Sequence, residues 1–324
     1  MRLAILDDYA HLALRLADWS RLEGRCTIEV FDRPLGTGED AVRALAPFDI
    51  VCHMRERMAM PGALIERLPN LKFIAITGRD HRTLDMAAAT RRGIVVSRSS
   101  GRGEGRYSTP ELAWGLVLCT ARHISYEDRQ MRSGGWQHTA GMVLYGKTLG
   151  LLGLGNIGRR MAEYGKAFGM EIIAWSQNLT AEAAAAVGVT RVEKNELLAR
   201  NDVLSIHVVL SERTRGLIGA AELALMKPTA ILINTSRGPI VDEAALIEAL
   251  AKSRLRGAGL DVYDREPLPD DSPLRRLDNI VLTPHLGYAS EEGMRIYYED
   301  TVEAVEAFLD GKPIRVVNPE ALPA

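Results

Sequence analysis

The side chains best suited to acid–base chemistry follow three apolar runs in the second half of the chain. Arg237 lies in the motif Asn-Thr-Ser-Arg-Gly, Glu266 in Tyr-Asp-Arg-Glu-Pro and His285 in Thr-Pro-His-Leu-Gly. Histidine ordinarily titrates near neutrality, so it can take a proton and later return it. A carboxylate beside it would stabilise the imidazolium, and an arginine can hold a substrate carboxylate through two parallel hydrogen bonds. The three together predict proton transfer at a 2-hydroxy or 2-oxo acid, coupled to hydride transfer.

Each of these residues also has an ordinary structural interpretation. His285 could be a buried histidine with satisfied hydrogen bonds, Glu266 a loop carboxylate and Arg237 a salt-bridge partner. For any one residue alone, that interpretation is at least as good. Because parallel strands place their carboxyl ends along one edge of a sheet, we expect the three to converge beside a bound nicotinamide. Their combination therefore favours catalysis.

A glycine-rich turn precedes these motifs. Gly153, Gly155 and Gly158 stand at G-x-G-x-x-G spacing between apolar runs at 149–152 and 172–175, so the order is strand, turn, helix and strand. Gly153 permits the tight turn, Gly155 lets a pyrophosphate approach the backbone, and Gly158 lets the helix pack close to its strand. A plain glycine turn is the alternative, and the surrounding elements favour dinucleotide binding over it.

The identity of the dinucleotide depends on the end of the second strand. Folds that bind NAD usually place an Asp or Glu there for the ribose hydroxyls, but this chain has Ser176 and Gln177. Glu171 lies at the opposite end of that strand. A 2′-phosphate would not be repelled, yet no arginine follows Ser176 to bind it. Arg159 and Arg160 could help only if the first helical turn brings them near, so the prediction is NAD or NADP.

Composition limits the other classes of function. The chain has 324 residues, of which 47% are hydrophobic and 25% charged, and its formal net charge is -2, as in ordinary globular proteins of two domains. This balance argues against nucleic-acid binding. No apolar run approaches the ~18 residues of a membrane span, and the run at 3–6 is predicted to be a first strand, so we expect a cytoplasmic protein. Cys26, Cys52 and Cys119 lack metal-type spacing, which predicts buried reduced thiols and no metal.

Apolar runs that alternate with helical patterns predict an α/β fold. Strands are predicted at 3–6, 28–31, 50–52, 73–76, 94–96, 149–152, 172–175, 203–209, 230–234, 258–262, 280–283 and 314–317, and helices at 39–46, 61–68, 84–91, 112–119, 220–226, 243–252 and 290–309. If the last helix returns to the first domain, the second domain is an insertion. We expect two Rossmann-like parallel-sheet domains. Residues 1–107 and 290–324 would form a discontinuous flavodoxin-like substrate domain, and residues 108–289 an inserted NAD(P)-binding Rossmann domain.

Two glycine-rich segments lie at the first predicted domain boundary and shortly after it. Residues 98–110, rich in Gly, Ser and Arg, are predicted to form a hinge, with Ser108 or Thr109 capping the helix that follows. Residues 131–146 are predicted to be irregular, with Trp136 anchoring them by packing. This segment, called the arm below, could wrap around a second subunit.

Polar residues also follow the strands of the first half. Arg55 follows the third strand, and Gly78 and Arg79 follow the fourth. Gly78 could expose backbone amides to an anion, and either arginine could face a carboxylate. For a single arginine, a solvated loop charge is the favoured alternative.

The motifs described above resemble those of the D-isomer-specific 2-hydroxyacid dehydrogenase family, which includes 3-phosphoglycerate dehydrogenases and glyoxylate/hydroxypyruvate reductases. They are GLGNIG at 153–158, NTSRG at 234–238, GLDVYDREPLP at 259–269 and TPHLG at 283–287, in the family's order and spacing. The resemblance continues to VVNPE at 316–320.

This resemblance implies specific roles. Arg237 would bind the substrate carboxylate and carbonyl, His285 would be the acid–base, and Glu266 would pair with it. The implied cofactor contacts are Asp261 at the nicotinamide amide, Asn156 and Ile157 at the pyrophosphate, and His207, Thr235 and Gly287 elsewhere. The family also implies a homodimer formed through the arm and a substrate site lined by Arg55 and Gly78.

The sequence departs from the family pattern near both ligands. Ser176 replaces the Asp usual in NAD-preferring members, and Arg79 replaces the second glycine usual in the carboxylate-binding loop. The leading prediction is an NAD(P)-dependent oxidoreductase of a small D-2-hydroxy acid or 2-oxo acid. The alternative is an NAD(H)-sensing, corepressor-like binding protein with little or no turnover, which the intact set of Arg237, Glu266 and His285 disfavours.

Overall fold

The chain is divided between two structural units. The computed structural model describes residues 1–78, 81–100 and 103–322. The first unit contains Met1–Arg106 together with Ser290–Ala324, and the second contains Tyr107–Ala289. The second unit is therefore inserted into the sequence of the first.

The first unit is built on a five-stranded parallel sheet. Its strands are β1 (Arg2–Ile5), β2 (Thr27–Val30), β3 (Ile50–His53), β4 (Phe73–Ile76) and β5 (Val95–Arg98), in the spatial order β2-β1-β3-β4-β5. Its helices within the first half are α1 (Ala13–Leu16), α2 (Glu39–Leu45), α3 (Gly62–Ile65) and α4 (Met86–Arg91). This strand order is the flavodoxin-like one.

The second unit is built on a seven-stranded parallel sheet. Its strands are β6 (Thr148–Leu152), β7 (Glu171–Trp175), β8 (Thr190–Arg191), β9 (Val203–Ile206), β10 (Ile231–Asn234), β11 (Gly257–Leu260) and β12 (Ile280–Leu282). Its helices are α5 (Ser108–Arg122), α6 (Ile124–Arg132), α7 (Asn156–Ala167), α8 (Ala181–Ala185), α9 (Lys194–Arg200), α10 (Ala220–Leu225) and α11 (Glu243–Ala251). The order β12-β11-β10-β9-β6-β7-β8 is that of a Rossmann fold, whose switch point lies between β6 and β9.

Burial explains why the apolar runs become central strands. Every residue of β3, β4, β9, β10 and β11 is buried, as expected when helices cover both faces of a parallel sheet. The prediction of an α/β fold with two Rossmann-like parallel-sheet domains is confirmed.

The chain returns to the first unit through α12 (Glu291–Leu309). Ser290 caps this helix by accepting a hydrogen bond from the Gly293 N–H. Beyond it, the Asn318 side chain accepts from the Val96 N–H at 2.8 Å and donates to the Ile94 carbonyl at 2.9 Å. The last part of the chain therefore completes the hydrogen bonding beside β5.

Several local predictions were wrong. Residues 314–317 do not form a strand, since Val316 makes only an isolated antiparallel bridge with Ser97. The strand predicted at 203–209 ends at Ile206. Trp136 does not anchor its segment, because it is 76% exposed. Cys52 is buried, whereas Cys26 and Cys119 are partly exposed. No helix in the described part of the chain is long and apolar enough to cross a membrane.

Candidate active site

The predicted acid–base residues follow three neighbouring strands of the second unit. β10, β11 and β12 are adjacent and parallel, so their carboxyl ends lie along one edge of the sheet. Arg237 follows β10, Glu266 follows β11 and His285 follows β12. The sheet therefore gathers the loops that carry the three residues.

The structure brings His285 and Glu266 into direct contact. His285 Nδ1 lies 2.5 Å from Glu266 Oε2, and Glu266 Oε1 accepts a hydrogen bond from the Tyr263 N–H at 3.0 Å. An ionised carboxylate can only accept, so Nδ1 donates this bond when Glu266 is ionised. The imidazole then has Nε2 for a second partner. The two side chains are 27% and 34% exposed, so they remain reachable from solvent.

The turn that carries His285 is held by Asp261. Its Oδ1 accepts hydrogen bonds from the Thr283 hydroxyl at 2.6 Å and the Leu286 N–H at 2.7 Å, and its Oδ2 accepts one from the Gly287 N–H at 2.8 Å. Asp261 is fully buried. Removal from water raises the pKa of its carboxyl group, although these three hydrogen bonds oppose the change.

Tyr263 ties the same strand ends together. Its hydroxyl lies 2.8 Å from the Thr283 carbonyl oxygen and 3.2 Å from the Leu260 carbonyl oxygen. Burial raises the pKa of this phenol, so it stays a hydrogen-bond donor at neutral pH. The Tyr288 ring lies edge-on to the His285 imidazole, with 5.8 Å between centroids.

Arg237 belongs to a segment packed closely against this loop. A Cβ added to Gly238 would lie 2.0 Å from the Tyr263 carbonyl carbon, so the two backbones touch where only glycine fits. Asn234 fixes the segment further, because its Nδ2 donates to the Arg237 carbonyl at 3.0 Å. The Arg237 guanidinium itself donates to the Ser236 carbonyl at 2.7 Å.

The glycine turn has the geometry that its spacing predicts. Gly153 has a φ of +105°, and a Cβ there would meet the His207 carbonyl carbon at 2.8 Å. A Cβ on Gly158 would lie 2.2 Å from the Gly153 carbonyl oxygen. A Cβ on Gly155 would meet no atom within 4 Å, so the turn opens at the position where a pyrophosphate would approach.

The first helical turn after these glycines can bind an anion. α7 begins at Asn156, followed by Ile157, and its N-cap residue is Gly155, which has no side chain to satisfy the first N–H groups. Unpaired N–H groups and the helix dipole both favour a phosphate there. The chain therefore fits a dinucleotide at the switch point between β6 and β9.

Two predicted cofactor residues lie at neighbouring strand ends. The Thr235 Oγ1 is buried and has no hydrogen-bond partner among the described residues, so it fits a bound polar group. His207 follows β9, and its Nε2 lies 2.8 Å from the Ser205 hydroxyl. Removal from water lowers the pKa of His207 to about 3, so its imidazole is neutral at physiological pH.

The end of β7 remains without an acidic side chain. Ser176 is partly buried and Gln177 is exposed. The guanidinium of Arg191, on the adjacent β8, donates to the Leu179 carbonyl at 3.3 Å and to the Glu193 carboxylate at 2.5 Å. Arg191 therefore lies beside the loop that follows Ser176, a position that the sequence analysis did not anticipate.

The predicted substrate residues belong to the first unit. Gly78 has a φ of +93°, and a Cβ there would lie 1.7 Å from an Arg55 guanidinium nitrogen. The Arg55 side chain therefore folds over the Gly78 backbone, and the Arg55 backbone N–H donates to the Thr77 hydroxyl at 2.7 Å. The predicted role of Arg79 concerns a residue outside the described ranges.

Sequence reasoning missed the hydroxyl groups around the His285 turn. The Thr109 hydroxyl, at the start of α5, donates to the Gly287 carbonyl at 2.7 Å, and the Thr283 hydroxyl donates to Asp261. Thr109 had been assigned only to helix capping. No short motif links Thr109 to Gly287, because 178 positions separate them in the chain. Among the described residues, no group of three or more His, Cys, Asp and Glu could hold a metal ion.

Comparison with known proteins identifies the family. Residues 114–287 match the sequence profile of the D-isomer specific 2-hydroxyacid dehydrogenase, NAD binding domain. The glyoxylate reductase of Thermococcus litoralis is 40% identical over 269 residues, which cover 80% of this chain and 80% of that protein. A solved oxidoreductase from Ralstonia solanacearum has a TM-score of 0.92 at 34% identity and covers 100% of this chain and 98% of that one.

A longer relative matches over only part of its length. The D-3-phosphoglycerate dehydrogenase of Methanocaldococcus jannaschii is 37% identical over 291 residues, which cover 89% of this chain but 55% of that protein. This chain therefore spans about half the length of that relative. Together with the matches above, the motif resemblance is confirmed, and the chain belongs to the D-isomer specific 2-hydroxyacid dehydrogenase family.

Proposed function

We propose that this protein is an NAD(P)-dependent oxidoreductase that interconverts a small D-2-hydroxy acid and the corresponding 2-oxo acid. The contact between His285 Nδ1 and Glu266 Oε2 is the observation that carries the proposal. It leaves Nε2 available for the proton of a substrate hydroxyl. This arrangement suits proton transfer and therefore favours turnover over cofactor binding alone.

The proposed acid–base cycle uses both nitrogens of His285. In the direction of oxidation, the neutral imidazole accepts the alcohol proton at Nε2, and Glu266 stabilises the resulting imidazolium through Nδ1. In the direction of reduction, Nε2 of the imidazolium returns a proton to the carbonyl oxygen. Arg237 holds the substrate carboxylate and keeps the reacting carbon beside His285.

A nicotinamide cofactor supplies the hydride chemistry when it is bound. We propose that Gly153, Gly155, Asn156, Ile157 and Gly158 hold its pyrophosphate. The proposed contacts with its other parts are Ser176, Gln177, His207, Thr235, Asp261 and Gly287. The unpartnered Thr235 hydroxyl and the open space at Gly155 support this assignment.

The end of β7 admits either NAD or NADP. Ser176 neither binds ribose hydroxyls as a carboxylate would nor repels a 2′-phosphate. Arg191, beside the following loop, is a cation that could bind a 2′-phosphate, but it is already paired with Glu193. We propose that both cofactors are accepted, with a smaller preference than in proteins that carry an Asp at this position.

For the substrate, we propose a short 2-oxo acid, held by its carboxylate. The glyoxylate reductase of Thermococcus litoralis supports a small acid, because the match covers most of that protein. We further propose that Arg55, Gly78 and Arg79 contribute to binding the acid. A turn with positive φ at Gly78 and a guanidinium folded over it suits an anionic group.

We also propose a homodimer formed through the segment before β6. Ile124, Met131, Trp136, Val143 and Tyr145 are all exposed there. Large apolar side chains exposed within one segment favour a protein interface there. Light scattering of the purified protein, and of a Trp136→Glu variant, tests the proposal, since the substitution should yield monomers.

The activity test measures oxidation of NADH and NADPH in parallel. The acids are glyoxylate, hydroxypyruvate, pyruvate, phosphohydroxypyruvate and longer 2-oxo acids. We expect turnover of at least one short acid, and its absence with every acid and both cofactors would overturn the proposal. If nucleotides then still bound, the protein would be an NAD(H)-sensing, corepressor-like binding protein instead.

The role of His285 needs a variant and a matched control. His285→Ala should abolish turnover while the dissociation constant for NADH, measured by fluorescence, stays close to that of the wild type. His11→Ala provides the control, because His11 lies in the first unit with its side chain 70% exposed. Surviving turnover in His285→Ala would refute the assigned role.

A further inference from the structure

The turn that carries His285 is held by hydrogen bonds from two sides. On one side, the buried Asp261 carboxylate accepts hydrogen bonds from the Leu286 and Gly287 N–H groups. On the other side, the Thr109 hydroxyl donates to the Gly287 carbonyl at 2.7 Å. The peptide groups on both sides of Gly287 are thus fixed by side chains from different elements.

Gly287 lies close to both of these side chains. A Cβ added there would lie 3.2 Å from Asp261 Oδ2 and 3.3 Å from the Thr109 methyl carbon. These separations are shorter than ordinary contacts, so glycine suits this position and a larger residue would be crowded by both side chains.

These hydrogen bonds fix a turn in which His285 has an uncommon backbone conformation. His285 has a φ of +54°, in the left-handed region that non-glycine residues visit rarely. Its own N–H donates to the Thr283 carbonyl at 3.0 Å. Such a conformation persists where the surrounding structure over-determines it, and Asp261, Thr283 and Thr109 supply that surrounding structure.

Thr109 is well placed to act as a fixed support. It is the second residue of α5, a helix of 15 residues that packs against β10, β11, β12 and α7. The helix is therefore anchored to the same strands that carry the site. The backbone that carries the Thr109 hydroxyl is therefore fixed relative to the site.

We propose that Thr109 and Thr283 are positioning residues for His285: their hydroxyl groups fix the turn so that Nδ1 meets Glu266 and Nε2 points toward the substrate. This inference rests on the proposed function of His285. Neither threonine touches a reacting atom, and each acts through the turn.

Three threonine variants on one helix test the proposal. Thr109→Val keeps the side-chain shape but removes the donor, whereas Thr109→Ser keeps the donor. Thr120→Val is the matched control, because Thr120 lies in the same helix with a buried hydroxyl that has no hydrogen-bond partner among the described residues. Thr283→Val removes the hydroxyl on the opposite side.

Each lost hydrogen bond should appear in kcat. We expect Thr109→Val and Thr283→Val to lower kcat by about 3- to 10-fold, with the dissociation constant for NADH and the KM for the acid unchanged. Thr109→Ser and Thr120→Val should match the wild type. A Thr109→Ser variant as impaired as Thr109→Val would overturn the role of the hydroxyl, and a parallel loss of NADH affinity would assign the effect to cofactor binding instead.

A second measurement tests the positioning role without relying on the enzymatic activity. Proton NMR should detect the hydrogen-bonded imidazole proton between His285 Nδ1 and Glu266, identified by its loss in His285→Ala. We expect this resonance to shift or broaden in Thr109→Val and Thr283→Val but not in the Thr120→Val control. If the protein turned over no acid, a shift would still support the positioning role. An unchanged resonance in both variants would overturn it, whatever the activity.

Discussion

A methyl group added at Gly238 should displace Arg237 and strongly lower kcat/KM for the acid. In Gly238→Ala, the new Cβ would lie 2.0 Å from the Tyr263 carbonyl carbon, 2.2 Å from its oxygen and 2.5 Å from the Asp264 nitrogen. All three are backbone atoms, so no side-chain rotation relieves the overlap. Ordinary contact begins near 3.4 Å, so the two segments must separate by about 1.4 Å. A misplacement of about 1 Å can cost roughly 100-fold in rate, and we expect that loss in kcat/KM for the acid.

The assay compares this variant with another glycine-to-alanine change. Gly115→Ala lies within α5, where a Cβ meets no atom within 4 Å. It should leave kcat/KM unchanged and stabilise the fold by about 0.5–1 kcal/mol, because alanine favours the helix. Thermal unfolding and NADH binding show whether both proteins are folded. If Gly238→Ala is folded and its kcat/KM stays within about threefold of the control, the geometric argument for Arg237 is wrong.

Three further substitutions test charge and protonation. Glu266→Gln keeps an acceptor for His285 Nδ1 but removes the negative charge. Because charge-assisted hydrogen bonds contribute about 1.5–3 kcal/mol, we expect kcat to fall roughly 10- to 100-fold, and an unchanged kcat would show that the pair is not used in catalysis. Ser176→Asp should raise the ratio of kcat/KM for NADH over NADPH on the order of tenfold through repulsion of the 2′-phosphate, and an unchanged ratio would refute the argument about the end of β7. His207→Asn tests the effect of burying this histidine on the pH dependence of stability. The pKa of His207 is about 3 in the folded protein and 6.5 ordinarily. Its contribution to stability is therefore present above pH 6.5 and is lost as the pH falls toward 3. Urea unfolding at several pH values should therefore show the wild type losing stability relative to His207→Asn over that range, and parallel pH curves would contradict it.

The fold class was readable from the sequence because buried parallel strands are continuous apolar runs. The run at 50–52, for example, became β3, in which every residue is buried. The elements that escaped prediction have weak patterns. α6 contains only two large aliphatic residues and no buried one, and β8 has only two residues, so neither shows a strong apolar pattern. The predicted strand at 314–317 failed because Arg315 has a φ of +51°, outside the extended region, and the segment makes only one bridge with β5.

The candidate site was predictable only in part. Strand-end motifs led to Arg237, Glu266 and His285, because the carboxyl ends of parallel strands share one edge. The hydrogen bond between Asp261 and the Gly287 N–H joins residues 26 positions apart, and the hydrogen bond from Thr109 to the Gly287 carbonyl spans 178 positions. No periodicity records such contacts. They depend on how α5 packs on the sheet, which only the three-dimensional structure reveals.

The insertion of the second unit into the first also sets an order for folding during synthesis. The ribosome makes β1 to β5 first, but α12, which packs on β4 and β5, emerges only after the whole of Tyr107–Ala289. Until then Phe73 lacks its stacking partner Phe308, and the Val96 N–H lacks the Asn318 side chain. We expect the inserted unit, whose elements are contiguous in sequence, to acquire its fold first. The early strands would meanwhile lack the apolar contacts that α12 supplies.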